Sequence, residues 1–143
     1  MLIRKMLGQY KPFFEVIEWH TTHRRVARAG VDTCEATVKL NINGENCYEV
    51  DEGDGPVNAL DRALRKALKR YYPEIEAMAL EDYKVRIIDS GAGTAAKTRV
   101  LVVSSDEERS WGTVGVSTNI INASWEALVD SVEFYLLKKG ARL

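Results

Sequence analysis

Several side chains in this sequence are of the types that catalysis or metal binding uses, but their spacing assembles no recognised site. His20 and His23 are three residues apart, so on an extended segment they point to opposite faces. Cys34 and Cys47 form no CxxC pair, which favours reduced core thiols in a cytoplasmic protein. The motifs of zinc proteases, phosphate-binding loops and serine hydrolases do not occur. We therefore predict no catalytic residue and no metal site in this chain.

An acidic cluster, Asp51, Glu52 and Asp54, lies beside Gly53 and Gly55, directly before a predicted helix. Carboxylates at such a turn interact favourably with the positive end of the helix, and carboxylates can also act as general acids and bases. We favour the first role, because a lone carboxylate cluster between a strand and a helix usually compensates helix charge.

The segment from residue 80 to residue 100 combines an alternating strand pattern with a glycine-rich loop. Glycine lets another backbone or a ligand approach closely, although a GxG motif without a following phosphate-binding helix also fits a plain hairpin loop. A small amphiphilic ligand, such as an amino acid with an apolar side chain, suits the combination of apolar and small residues here. These residues are Leu80, Tyr83, Ile87, Gly93, Thr94, Ala95 and Ala96.

Length and composition indicate one ordinary globular domain. The chain has 143 residues, of which 45% are hydrophobic and 29% charged. Twenty basic residues against 21 acidic ones leave a net charge of -1, which argues against nucleic-acid or membrane association. A nucleic-acid-binding domain using the basic segment 23–28 remains a third alternative, although a solvated loop is the simpler interpretation. No apolar run reaches the roughly 20 residues of a membrane span, and the start does not resemble a signal peptide.

The elements of the first half are predicted from periodicity. An extended segment opens at Phe13, and Asn43-Gly44 favours a type I′ turn that pairs residues 35–43 with 46–52. A helix follows the turn at 53–56 and is predicted to end at Tyr72, before Pro73. Its apolar face recurs at steps of three and four residues and comprises Val57, Leu60, Ala63, Leu64, Ala67, Leu68 and Tyr71.

The second half repeats this order at an offset of 64 residues, the separation of Trp19 and Tyr83. Strands are predicted at 98–104 and 111–116, and a final helix at about 122–139. The sequence therefore predicts an α+β fold with internal duplication of two β-β-β-α units, about 13–76 and 77–140, whose antiparallel sheets are covered by helices. Trp125, Val129 and Leu136 widen the apolar surface of the last helix, so its second side should pack on another subunit or over the edge of its own sheet.

Four segments together resemble the C-terminal regulatory domain of the α-isopropylmalate synthase and citramalate synthase family. They are GDGPVNALDRALRKAL (53–68), LEDYKVRI (80–87), GTAAKTRV (93–100) and WGTVGVSTNIINASWEALVDS (111–131). The resemblance covers nearly the whole chain, and the residues of these segments are more similar to the citramalate synthases than to the leucine-pathway enzymes.

The resemblance implies a homodimer of a duplicated fold and feedback inhibition by a branched-chain amino acid, isoleucine for the citramalate branch and leucine for the other. Residues 1–12 would be a linker remnant, and 13–143 the regulatory domain attached to an upstream barrel. Divalent metal and acetyl-CoA would belong to that barrel, so this chain should have no synthase activity and no cofactor. A purely structural dimerisation module is the alternative. The implied ligand-binding residues are Leu80, Tyr83, Ile87, Gly91, Gly93, Thr94, Ala96, Ile120 and Asn122.

Overall fold

The computed structural model describes residues 13–26, 31–88 and 97–139. Two three-stranded antiparallel sheets, each followed by a helix, confirm the duplicated α+β fold, and the strand orders are β1-β2-β3 and β4-β5-β6. A short 3₁₀ helix joins the two units. The elements are β1 (Glu15–Val26), β2 (Val31–Ile42), β3 (Glu45–Gly53), α1 (Pro56–Leu68), the 3₁₀ helix (Pro73–Ala77), β4 (Ala79–Ile88), β5 (Lys97–Ser105), β6 (Ser110–Ser117) and α2 (Ile120–Lys139).

The β2–β3 hairpin forms around the predicted turn. Asn43 and Gly44 both have positive φ, of 54° and 88°, as a type I′ turn requires. The Asn41 side chain stabilises the turn, because its Oδ1 accepts from the Gly44 N–H at 3.2 Å and its Nδ2 donates to Asn46 Oδ1 at 3.0 Å. The hairpin is confirmed, with strands slightly longer than the sequence pattern indicates.

The core of the first unit lies between β2 and α1. Alternate residues of β2 are buried, and the apolar face of α1 packs on them, as the periodicities predict. The helix ends at Leu68, earlier than the predicted end before Pro73. The Tyr71 and Tyr72 N–H groups both donate to the Leu68 carbonyl, so the chain leaves the helix through a tight turn. Tyr71 lies beyond the end of the helix, but it still packs against the core as predicted, and its hydroxyl donates to Glu45 Oε2 at 2.9 Å.

The second unit places α2 over β5 and β6. Gly115 of β6 permits a close approach, since a Cβ there would lie 1.9 Å from the Ala123 carbonyl oxygen of α2. On its other side, α2 packs against the first unit of the same chain. The Trp125 and Trp19 rings stack there with centroids 5.3 Å apart. The Trp125 side of the broad apolar surface of α2 is thus in contact with β1 of the same chain.

Candidate functional site

One face of the edge strand β4 carries exposed apolar side chains. Tyr83 and Val85 lie opposite Val102 and Val100, which are fully buried beneath α2. On β4 itself the helix covers little, so Tyr83 is 45% exposed, Val85 42% and Ile87 71%. We call these three residues the β4 strip. Apolar side chains that share a face with a covered core, but stay uncovered themselves, form a surface suited to an apolar ligand or partner.

A β-bulge brings Leu80 onto the same face as the β4 strip. Leu80 and Tyr83 are three residues apart, so simple alternation would place them on opposite faces. The register shifts between Leu80 and Asp82, and both Leu80 and Tyr83 consequently face the helix side. The first unit has a register shift between Val16 and Glu18, the positions equivalent at the 64-residue offset. The bulge is therefore part of the repeated unit.

The two units differ in what covers this face of their first strand. In the first unit Trp125 of α2 stacks on Trp19 of β1. At the 64-residue offset, Trp19 corresponds to Tyr83 and Trp125 corresponds to Asp61 of α1. A buried aspartate offers no ring to Tyr83, so Tyr83 is exposed, whereas its equivalent Trp19 is partly buried under Trp125.

Asp61 takes part in an ion pair that fixes the beginning of β4. Arg65 Nη2 donates to Asp61 Oδ2 at 2.7 Å, and Arg65 Nη1 donates at 2.6 Å to the carbonyl of Met78, the residue before β4. Burial raises the pKa of the Asp61 carboxyl above its ordinary value of 3.8, and the Arg65 guanidinium offsets part of this rise. From α2, the Tyr135 hydroxyl donates to the Glu74 carbonyl at 3.1 Å. Both helices therefore hold the connection that leads into the β4 strip.

The beginning of α2 lies at the end of the sheet that carries Ile87. Ile87 pairs with Thr98, and Thr98 pairs with Ser117, so the end of β6 is two strands away, about 9–10 Å. Asn119 caps the helix, because its Oδ1 accepts hydrogen bonds from the backbone N–H groups of Ile121 and Asn122, at 2.8 and 3.1 Å. Ile120 and Asn122, two of the predicted ligand residues, are both exposed there.

The structure brings together only part of the predicted set. Leu80, Tyr83 and Ile87 share one face of β4, whereas Ile120 and Asn122 lie across the sheet at the same end as Ile87. The predicted loop residues Gly91, Gly93, Thr94 and Ala96 fall outside the described residues. Val85, in the middle of the β4 strip, was missing from the prediction, although alternation from Tyr83 would have found it.

The other candidate groups lie apart from one another in the described residues. His20 pairs with Thr37 and His23 with Cys34 in β1–β2, so the two imidazoles belong to opposite faces as predicted. Asp51 Oδ2 lies 3.7 Å from Arg62 Nε of α1 instead of capping the helix. Within the described ranges, no three His, Cys, Asp or Glu side chains are grouped to hold a metal ion.

Comparison with known families matches residues 1–136 of this chain to the LeuA allosteric (dimerisation) domain. The chain belongs to this family. The predicted resemblance is thereby confirmed, and the β4 strip is a surface of a LeuA domain. In the described part of this LeuA domain, neither helix is long and apolar enough to cross a membrane.

Relatives of the LeuA domain come from two kinds of enzyme. It is 49% identical over 140 residues to an (R)-citramalate synthase of Synechocystis sp. and 46% identical over 138 residues to one of Geobacter sulfurreducens, covering 95% and 96% of the chain and 25% and 26% of those proteins. A 2-isopropylmalate synthase of Aquifex aeolicus is 36% identical over 104 residues, which cover 73% of the chain and 18% of that protein. The chain spans about a quarter of the length of the citramalate synthases that it matches.

Proposed function

We propose that this LeuA domain is the amino-acid-sensing regulatory region of a citramalate synthase, with isoleucine as the favoured effector. The observation that carries the proposal is the near-complete match of the chain to proteins named (R)-citramalate synthase, at 46–49% identity. The condensation of acetyl-CoA with pyruvate, together with its metal, would belong to an upstream barrel of the same cytoplasmic protein. This domain would dimerise and bind the effector without catalysing a reaction.

The geometry of the β4 strip supports an apolar effector. Tyr83, Val85 and Ile87 offer continuous apolar surface, and the exposed Ile120 lies at the same end of the sheet as Ile87. Burying one branched side chain of the ligand against such a surface contributes about 1.5–3 kcal/mol. The ammonium and carboxylate of the amino acid additionally need polar partners, for which the exposed Asn122 at the start of α2 is a candidate.

Regulation would follow from a difference in effector affinity between two arrangements of the dimer. An effector shifts an equilibrium only as far as its affinities for the two states differ. The β4 strip is held relative to α1 through Arg65 and the Met78 carbonyl. A change of subunit packing that moves α1 against β4 would therefore alter the effector site.

The test is titration calorimetry of the chain with isoleucine, leucine and valine, combined with sedimentation of the same samples. We expect a dimer that prefers isoleucine and loses at least about tenfold in affinity, or ~1.4 kcal/mol, in Tyr83→Ala and Ile87→Asn. Matched controls are Tyr48→Ala and Ile17→Asn, since these residues are also exposed but lie in the first sheet.

Two outcomes would change the proposal. A preference for leucine would make this the sensor of a 2-isopropylmalate synthase. A dimer that binds none of the three amino acids would favour a structural dimerisation module, in which a second copy covers the β4 strip.

A further inference from the structure

An open surface cavity of about 580 Å³ lies over the paired strands β4 and β5 and is lined by three cations. Lys84, Arg86 and Arg99 surround it, and Val85 and Leu101 add apolar surface. Because side chains alternate along a strand, Lys84 and Arg86 belong to the face of β4 opposite the β4 strip. The cations of the cavity therefore lie on the other face of β4 from Tyr83 and Ile87, and Val85 borders both surfaces. We call this cavity the basic cavity.

Two of these cations are directly opposed in the sheet. Arg86 pairs with Arg99 across the β4–β5 ladder, which places their Cα atoms about 4.5–5.5 Å apart. Like charges directly opposite each other destabilise a sheet. In the ranges that the structure covers, no ion pair joins Lys84, Arg86 or Arg99 to a carboxylate. Within those ranges, the repulsion in the basic cavity is thus not offset by an ion pair.

The internal duplication shows that the fold itself does not need these cations. At the 64-residue offset, Arg86 corresponds to Thr22 and Arg99 corresponds to Glu35, and Thr22 and Glu35 are likewise paired across β1–β2. The first unit therefore builds the same strand pair with a hydroxyl opposite a carboxylate. Two arginines at these positions belong to the second unit alone, which points to a role other than holding the sheet.

We propose that the basic cavity binds a small organic dianion, a dicarboxylate or a phosphate monoester. Guanidinium groups donate paired N–H bonds that match the oxygens of carboxylates and phosphates, and two such groups lie side by side here. The Lys84 ammonium supplies a third positive charge, and Leu101, which pairs with Lys84, offers apolar surface for the carbon skeleton of the ligand. The charged groups of this site lie on the face of β4 opposite Tyr83 and Ile87 of the proposed effector surface.

The proposal is tested by calorimetric titration of the chain with succinate and with inorganic phosphate, with acetate as the monoanionic control. We expect saturable binding of at least one dianion, tighter than acetate by about tenfold or more. Binding should weaken at least about tenfold in Arg86→Gln and in Arg99→Gln, and less than about twofold in Arg62→Gln. Arg62 is a suitable control because it is an exposed cation on α1, outside this cavity. Succinate or phosphate binding tells which of the two ligand classes applies.

A second measurement reports on the like-charge pair without relying on affinity. Each glutamine variant should melt at a higher temperature than the parent chain in dilute buffer, because the repulsion is removed. Succinate or phosphate should raise the melting temperature of the parent chain more than that of either variant. Equal dianion affinity in all variants, or no binding by the parent chain, would overturn the proposal. Variants that change only the sedimentation behaviour would overturn it as well, since the arginines would then face a second copy.

Discussion

Truncation of Trp125 tests whether α2 is packed against the first unit of its own chain. Trp125 is only 7% exposed and stacks on Trp19. A tryptophan buries about 150–250 Å², which at about 25 cal/mol per Å² amounts to roughly 4–6 kcal/mol, and measured truncations of buried aromatic residues cost about 3–5 kcal/mol. We therefore expect Trp125→Ala to lower the free energy of unfolding by about 3–5 kcal/mol. Since whole domains are stable by only about 5–15 kcal/mol, the milder Trp125→Phe should be measured beside it.

The assay is urea unfolding of both variants, alone and combined with Trp19→Ala, at two protein concentrations. Trp19 and Trp125 should be coupled by about 0.5–1.5 kcal/mol in the double-mutant cycle, because their rings are in contact. Trp111 stacks on Tyr135 instead, so Trp111→Phe should combine additively with Trp19→Ala within about 0.5 kcal/mol. The intrachain packing would be refuted if the effects of the Trp19 and Trp125 variants were additive and the loss in free energy of unfolding of the Trp125 variants grew on dilution. Trp125 would then lie at a subunit interface.

Three further outcomes follow from individual contacts. Gly115→Ala should cost about 3 kcal/mol in thermal or urea unfolding because its Cβ would overlap a backbone carbonyl of α2, whereas Gly55→Ala meets no atom within 4 Å and should change little. Arg65→Met should cost about 3–5 kcal/mol by leaving Asp61 charged and buried, and the combined Asp61→Leu and Arg65→Met variant should recover part of this loss. Burial raises the pKa of the Cys47 thiol above 9.0, and the charge of a nearby carboxylate makes a smaller contribution in the same direction. Labelling of Cys47 by a disulfide reagent at neutral pH should therefore be at least about tenfold slower in the native chain than in urea.

The duplicated fold was predictable because periodicity is a local property. Asn43-Gly44 predicts a type I′ turn because both residues readily adopt the positive φ that this turn requires. The apolar face of α1 follows from the spacing of its apolar residues. The end of α1 was predicted late, since Pro73 sets only the last position that a helix could reach. Hydrogen bonds from the Tyr71 and Tyr72 N–H groups to the Leu68 carbonyl end the helix before that position, and the residue types there do not predict these bonds.

The candidate site was less predictable because it depends on pairing between distant segments. The bulge between Leu80 and Asp82 contains no glycine or proline, so its effect on Tyr83 could not be inferred from alternation. Arg86 and Arg99 become neighbours only through the β4–β5 register. A helix that is apolar on two sides likewise does not reveal whether the second side packs within the chain or on a partner.

Comparison of equivalent positions separates residues that build the unit from residues that distinguish its two copies. The bulge recurs at the same offset in β1 and β4, so it belongs to the shared architecture. Asp61 stands where the second unit has Trp125, and because a carboxylate bound to Arg65 cannot cover an aromatic ring, Tyr83 is left open. The first unit thus has Trp19 of its first strand packed under Trp125, whereas the first strand of the second unit is uncovered on one face and basic on the other. Both candidate binding surfaces therefore include residues of β4 at which the second unit differs from the first.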